Sequence, residues 1–121
     1  MANPNLIVLY VENTEASVEF YGKLLAREPA ATFPTYAAFE LDHGLTLGLW
    51  ARETVAPTPS ETGNRTEFAF MVKNDKAVEA MYADWKALGL TFEQEPTTMT
   101  FGRTFVALDP DGHRLRVCPV D

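Results

Sequence analysis

The sequence is poor in the residues that most often announce a function. It has one cysteine, Cys118, and two histidines, His43 and His113. A single cysteine closes no disulfide within the chain, so nothing in it asks for an oxidising compartment, and Cys118 reads as a small core residue. Two histidines leave little room for metal chemistry. There is no long hydrophobic run. The opening MANPNLIVLYVEN lacks a basic segment, and Leu6–Val11 is too short for a signal core or a membrane span. The expectation is a cytoplasmic protein with no membrane partner. Basic residues are also scarce, ten Lys and Arg against seventeen Asp and Glu, for a net charge of −7. With no Lys/Arg cluster to meet phosphates, the charge argues against nucleic acid as the main partner. No glycine loop is built to cradle phosphate, and no Ser or Cys has a spaced His and acid to activate it.

What the chain does contain is a repeat. Residues 6–21, LIVLYVENTEASVEFY, and 67–82, EFAFMVKNDKAVEAMY, each begin with a short apolar run ending in Val-x-Asn, at Val11 and again 61 residues later at Val72. The β-branched and aromatic runs read as strands. After the first, Asn13 or Thr14 caps a helix with the stripe Val18, Tyr21, Leu24 and Leu25. After the second, Asn74 or Asp75 caps one with Val78, Met81, Trp85 and Leu88, stopped by Gly89.

The repetition continues past the helices. FELDHGLTLGLW (39–50) reads as two strands around an Asp42-His43-Gly44 turn. FVALDPDGHRLRVC (105–118) reads as two strands around Asp109-Pro110-Asp111-Gly112, with Gly112 lying 68 residues after Gly44. Asp-Pro-Asp-Gly suits a type I turn closed by a left-handed residue. Each half is then strand, helix and about three antiparallel strands: repeat 1 over about 4–51, a Pro- and Thr-rich linker over 52–64, and repeat 2 over about 65–120. The fold class is α+β, two tandem β-α-β-β-β units in a single domain. Side by side they would form a cup-shaped curved sheet with the helices outside and a pocket inside.

In its repeat and in the motifs LYVEN, SVEFY and FVALDPDGHRLRVC, the sequence resembles the vicinal oxygen chelate superfamily of glyoxalases, extradiol dioxygenases and bleomycin resistance proteins. PNLIVLYVEN, LGLW and TFGRTFVALDPDGHRLRVCPVD look most similar to phenazine antibiotic resistance proteins. The resemblance implies metal ligands, His or Glu, on the first and last strands of each half. The matching positions here are Leu6, Gly48, Glu67 and Arg116. Leucine and glycine offer no side-chain donor and arginine repels a cation, so no metal and no other cofactor is expected. His43 and His113 fall in or beside turns, away from strand positions that would face a cup.

Strand alternation extends the reading. Leu6 brings Val8 and Tyr10 to the same face, and Gly48 brings Thr46 and Trp50. Glu67 brings Ala69 and Met71, and Arg116 brings Arg114 and Cys118. Two readings of Trp50 stand, a core residue or a stacking platform for a planar ligand. Gly48 favours the second, since an absent side chain leaves room for a ring. Phe33, Tyr36 and Phe39 are candidates for the opposing surface, with a satellite hydrophobic cluster as the plainer alternative. Arg116 would hold a ligand carboxylate or pair with Glu67, and the internal pair is favoured because an unpaired carboxylate among apolar groups is costly. Phe101 and Arg103, the latter on a loop that Gly102 makes flexible, complete the candidates, although Arg103 also reads as a surface residue.

These residues suit a protein that sequesters a planar, partly apolar molecule, by resemblance a phenazine-type antibiotic, rather than an enzyme. The alternative is a glyoxalase- or dioxygenase-type enzyme with a non-standard metal site at Glu67. By the same resemblance a homodimer is expected.

Overall fold

The computed structural model describes residues 5–56, 58–59 and 66–120. Residue 4, residues 57 and 60–64 of the expected linker, and residue 65 at the start of the expected second repeat therefore lie outside the described residues. The chain divides into two compact units, Met1–Thr62 and Gly63–Asp121.

In the first unit, strand β1 (Leu6–Val11) leads into helix α1 (Thr14–Leu25), followed by β2 (Ala31–Phe33), β3 (Tyr36–Glu40) and β4 (Thr46–Ala51). The sheet order is β1-β4-β3-β2, with β1 parallel to β4 and the other neighbours antiparallel. Asn13 caps α1: its side-chain oxygen accepts the Ala16 amide at 2.9 Å. Ala26 ends the helix in the left-handed region. The buried face of α1 is Thr14, Ser17 and Tyr21, while Val18, Leu24 and Leu25 of the expected stripe are only half-buried. Small residues at 14 and 17 sit on the sheet side and leave Tyr21 to fill the core. Ile7, Leu9 and Val11 alternate with Leu6, Val8 and Tyr10, and the core takes Leu9, Val11, Phe39, Leu47 and Leu49. The start of the expected linker is ordered, with a 3-10 turn at Arg52–Thr54 and a buried Val55.

The second unit repeats the plan: β5 (Glu67–Val72), α2 (Asp75–Ala87), β6 (Thr91–Met99), β7 (Gly102–Leu108) and β8 (Arg114–Pro119), in the order β5-β8-β7-β6. Asn74 caps α2 through the Ala77 amide at 2.9 Å. Val78 and Trp85 are buried, whereas Leu88 lies past the last turn and is exposed. Beneath α2, Trp85 meets Phe70 and Phe105 edge-on, with ring centroids 5.2 and 5.4 Å apart.

The repeat holds at the level of individual pairs. Leu6 lies opposite Thr46 as Glu67 lies opposite Arg114, and Val8 opposite Gly48 as Ala69 opposite Arg116. The offsets of 61 and 68 residues thus describe two sheets of equivalent register. The expected turn also forms: the Gly112 amide donates to the Asp109 carbonyl at 3.0 Å and Gly112 has φ +84°.

Candidate functional site

Residues directly paired across neighbouring strands share a face. In the first sheet this places one aromatic residue per strand in a single row: Tyr10 opposite Trp50, Trp50 opposite Tyr36, Tyr36 opposite Phe33. The row lies on the face away from the buried Leu47, Leu49 and Ala37. All four rings remain accessible: Trp50 and Tyr36 are half-buried, Tyr10 and Phe33 exposed. Tyr10 meets Trp50 edge-on, with centroids 6.4 Å apart and planes at 80°. The adjacent row, Val8, Gly48, Ala38 and Ala31, is made of small side chains. Four aromatic residues on one sheet face, beside small side chains, supply apolar surface on which a flat molecule can lie.

Six of the expected residues are thereby brought onto one face: Leu6, Val8, Phe33, Tyr36, Gly48 and Trp50. Phe39 is not among them. It is one residue out of phase, fully buried opposite Leu47, and belongs to the core. Tyr10 is the member that completes the row, and its signal was the two-residue alternation from Leu6. Phe33 also lines a cavity of about 360 Å³ with Thr14, Glu15, Val18, Thr32 and Pro34. The space expected over Gly48 is taken by the protein's own ring. A Cβ at that position would lie 2.5 Å from the Tyr36 hydroxyl oxygen and 3.1 Å from two of its ring carbons.

In the second unit, Glu67 and Arg116 form the internal pair. Arg116 Nε donates to Glu67 Oε2 at 2.8 Å and Nη1 to Thr104 Oγ1 at 3.2 Å. Thr104 is fully buried and in turn donates to the Val117 carbonyl at 2.7 Å. The guanidinium carbon also stands 5.8 Å from the centre of the exposed Phe101 ring, within reach of a cation–π contact. Cys118 shares the Arg116 face and is half-buried, so it is not a core residue. Thr104 was not anticipated; its only sequence signal was alternation along β7.

Arg103 is turned elsewhere. Its Nε donates to Glu79 Oε1 of α2 at 2.7 Å, and its backbone amide donates to Asp75 Oδ1 at 3.0 Å. It fastens β7 to α2. Gly102 has φ +117°, and a Cβ there would come within 2.7 Å of Pro119 Cγ. Glycine is required for that close approach.

The four positions that the family resemblance marks for metal do not make a donor set. Leu6 and Gly48 have no ligand atom, Arg116 is cationic, and the Glu67 carboxylate is engaged by Arg116. A ligating side chain at 48 would first have to displace the Tyr36 ring. Elsewhere, ligand atoms of Asp109, Asp111 and His113 lie within 4.8 Å of one another, yet the geometry is that of a turn scaffold. Asp109 Oδ1 accepts the amides of Asp111 and His113 at 2.9 and 2.8 Å, and Oδ2 meets His113 Nδ1 at 2.7 Å. His43, at φ +62°, is an exposed turn residue.

The Asp109 carboxylate raises the His113 pKa above its ordinary value, first by hydrogen bonding and then by charge, with Asp111 adding to it and burial opposing. A raised pKa stabilises the fold fully below the unfolded value of about 6.5 and is lost as pH rises through the folded value. Unfolding free energy measured from about pH 5.5 to 9 should contain a component that falls with rising pH. His113→Gln should flatten that component. An unchanged pH dependence in the variant would refute the assignment.

With this geometry in view, comparison with known proteins places the chain. It belongs to the Glyoxalase/Bleomycin resistance protein/Dioxygenase superfamily, whose family model matches residues 3–117. It is 36% identical over 123 residues to the Phenazine antibiotic resistance protein EhpR of Enterobacter agglomerans, covering 98% of this chain and 92% of that protein. The solution NMR structure of protein ATC0852 from Agrobacterium tumefaciens is 47% identical, covers 100% of this chain and 99% of that one, and superposes with a TM-score of 0.88. A glyoxalase/bleomycin resistance protein/dioxygenase from Nocardioides is 26% identical with a TM-score of 0.83, covering 98% of this chain and 83% of that chain. Among the described residues, no helix is long and apolar enough to cross a membrane.

Proposed function

We propose that this protein confers resistance by binding a planar aromatic antibiotic of the phenazine type and sequestering it, without a metal and without changing it chemically. The row of four accessible aromatic residues, Tyr10–Trp50–Tyr36–Phe33, on one sheet face carries the reading. The likeness to EhpR supports it, as does the chemistry of the four positions that could have held a metal. Sequestration needs complementary surface and no reacting group.

Titration with phenazine-1-carboxylate, followed by tryptophan fluorescence, tests the proposal. Trp85 is packed in the core and Trp50 is accessible, so quenching is expected to come from Trp50. A saturable change in the micromolar range is expected, together with unaltered compound recovered on denaturation. Absence of saturation would overturn the reading. Stoichiometric Ni, Zn, Fe or Mn in protein purified without chelators would overturn its metal-free part.

The protein is further proposed to act as a homodimer in the cytoplasm. β1 is an edge of its sheet and carries the exposed Leu6, Ile7 and Tyr10, a surface that association would cover. Sedimentation at about tens of micromolar checks this, and a monomer there would refute the dimer.

A further inference from the structure

Tyr36 starts in the aromatic row and ends over the row beside it. Its Cα is paired with that of Trp50, yet its hydroxyl end lies above Gly48, close enough that even a methyl group at 48 would strike it. Ala38, the residue paired with Gly48 on β3, is also small, and Val8 is the partner of Gly48 on β1. Among the described residues, the hydroxyl has no hydrogen-bond partner. A half-buried phenol beside apolar groups, with no internal partner, leaves one donor directed at whatever occupies the face. The other polar side chains that the strand residues bring to this face are Tyr10 and Trp50 in the aromatic row and Thr46 and Glu40 in the row beyond Gly48; none is a lysine or arginine, and Tyr36 is the one whose hydroxyl is held over Gly48.

Resting on the reading of this face as the binding surface, we infer that Tyr36 is its specificity-determining residue. Its hydroxyl donates a hydrogen bond to an oxygen at the edge of the bound ring system, so the preferred ligands are planar aromatics bearing a carboxylate or carbonyl oxygen. Gly48 is the positioning residue, because only the absence of a Cβ lets the phenol lie where it does. A hydrogen bond to a charged oxygen in a partly dry site is stronger than one between neutral groups, so the phenol discriminates between ring systems that share the same stacking area. The position that the family resemblance marks for a metal ligand is thereby covered by a phenol.

The test compares phenazine-1-carboxylate with unsubstituted phenazine on the wild-type protein, Tyr36→Phe and Gly48→Ala, by calorimetry. Tyr36→Phe keeps the ring and removes the donor. It should weaken phenazine-1-carboxylate about tenfold, the effect of losing one hydrogen bond to a charged group, and change phenazine less than about twofold. Gly48→Ala should also cut the preference for the carboxylate, because the displaced phenol no longer presents its hydroxyl in the same place. Circular dichroism of each variant shows whether the sheet is retained. A preference that Tyr36→Phe leaves unmoved, with wild-type binding intact, overturns this inference and leaves the binding function standing. A wild-type protein that binds neither compound overturns both.

Discussion

Phe105→Ala should lower the unfolding free energy by about 3–5 kcal/mol, the range for deleting a buried phenylalanine ring where the surroundings relax only in part. Phe105 is fully buried on β7. Its ring is 5.4 Å from Trp85, 5.4 Å from Tyr82 and 5.8 Å from Phe92, all edge-on. Three aromatic neighbours from α2 and β6 thus converge on one ring, and rigid rings close around a void poorly. A loss of that size is a large part of the 5–15 kcal/mol by which domains are usually stable. Urea unfolding should show a lower midpoint at an unchanged slope. A cost under about 1 kcal/mol would mean that the cluster contributes far less than its burial implies.

Trp50→Ala should have the opposite profile, little loss of stability and a large loss of binding. Trp50 is half-buried on the open face of its sheet, touching Tyr10 edge-on, so its removal leaves no closed cavity. If the four rings form the platform, the indole offers the largest flat area in the row. Truncating a central aromatic contact typically costs about 2 kcal/mol or more, on the order of 30-fold in Kd. Calorimetry with phenazine-1-carboxylate reads this directly, since the variant keeps only Trp85 as a fluorophore. Full affinity in Trp50→Ala would remove the platform from the proposal. The two tryptophans of this chain thus make a controlled comparison: Trp85 is packed between Phe70 and Phe105, while Trp50 is half-buried on the face proposed to bind.

Where the sequence reading went astray, the cause was local. Phe39 was grouped with Phe33 and Tyr36 by nearness in sequence, but a strand turns successive residues to opposite faces. Phe39 is three positions from Tyr36, and Tyr36 shares its face with Phe33 across the Pro34-Thr35 turn. Leu88 fitted the helical period of α2, yet the helix ends one residue before it. Gly102 carries a steric role that spacing does not reveal, close packing against Pro119. Arg103, which the sequence leaves open between a surface residue and a ligand contact, is paired with Glu79 in the fold.

By itself the sequence determined the two β-α-β-β-β units, their capped helices, the Asp109–Gly112 turn, the register offset between the halves, and the residue types Leu6, Gly48 and Arg116 at three of the four positions that the family resemblance marks. Each of these rests on residue type and spacing along the chain, where side-chain period and turn chemistry act over a few residues. Only the tertiary structure decided that Tyr10, Trp50, Tyr36 and Phe33 stand in one row, that Arg116 is engaged by Glu67 and Thr104, and that the opening over Gly48 is filled by Tyr36. Those facts depend on which strands pair and in what register, and on where long side chains lean once paired. Neither is a property of any one segment: both arise when strands distant in the chain meet.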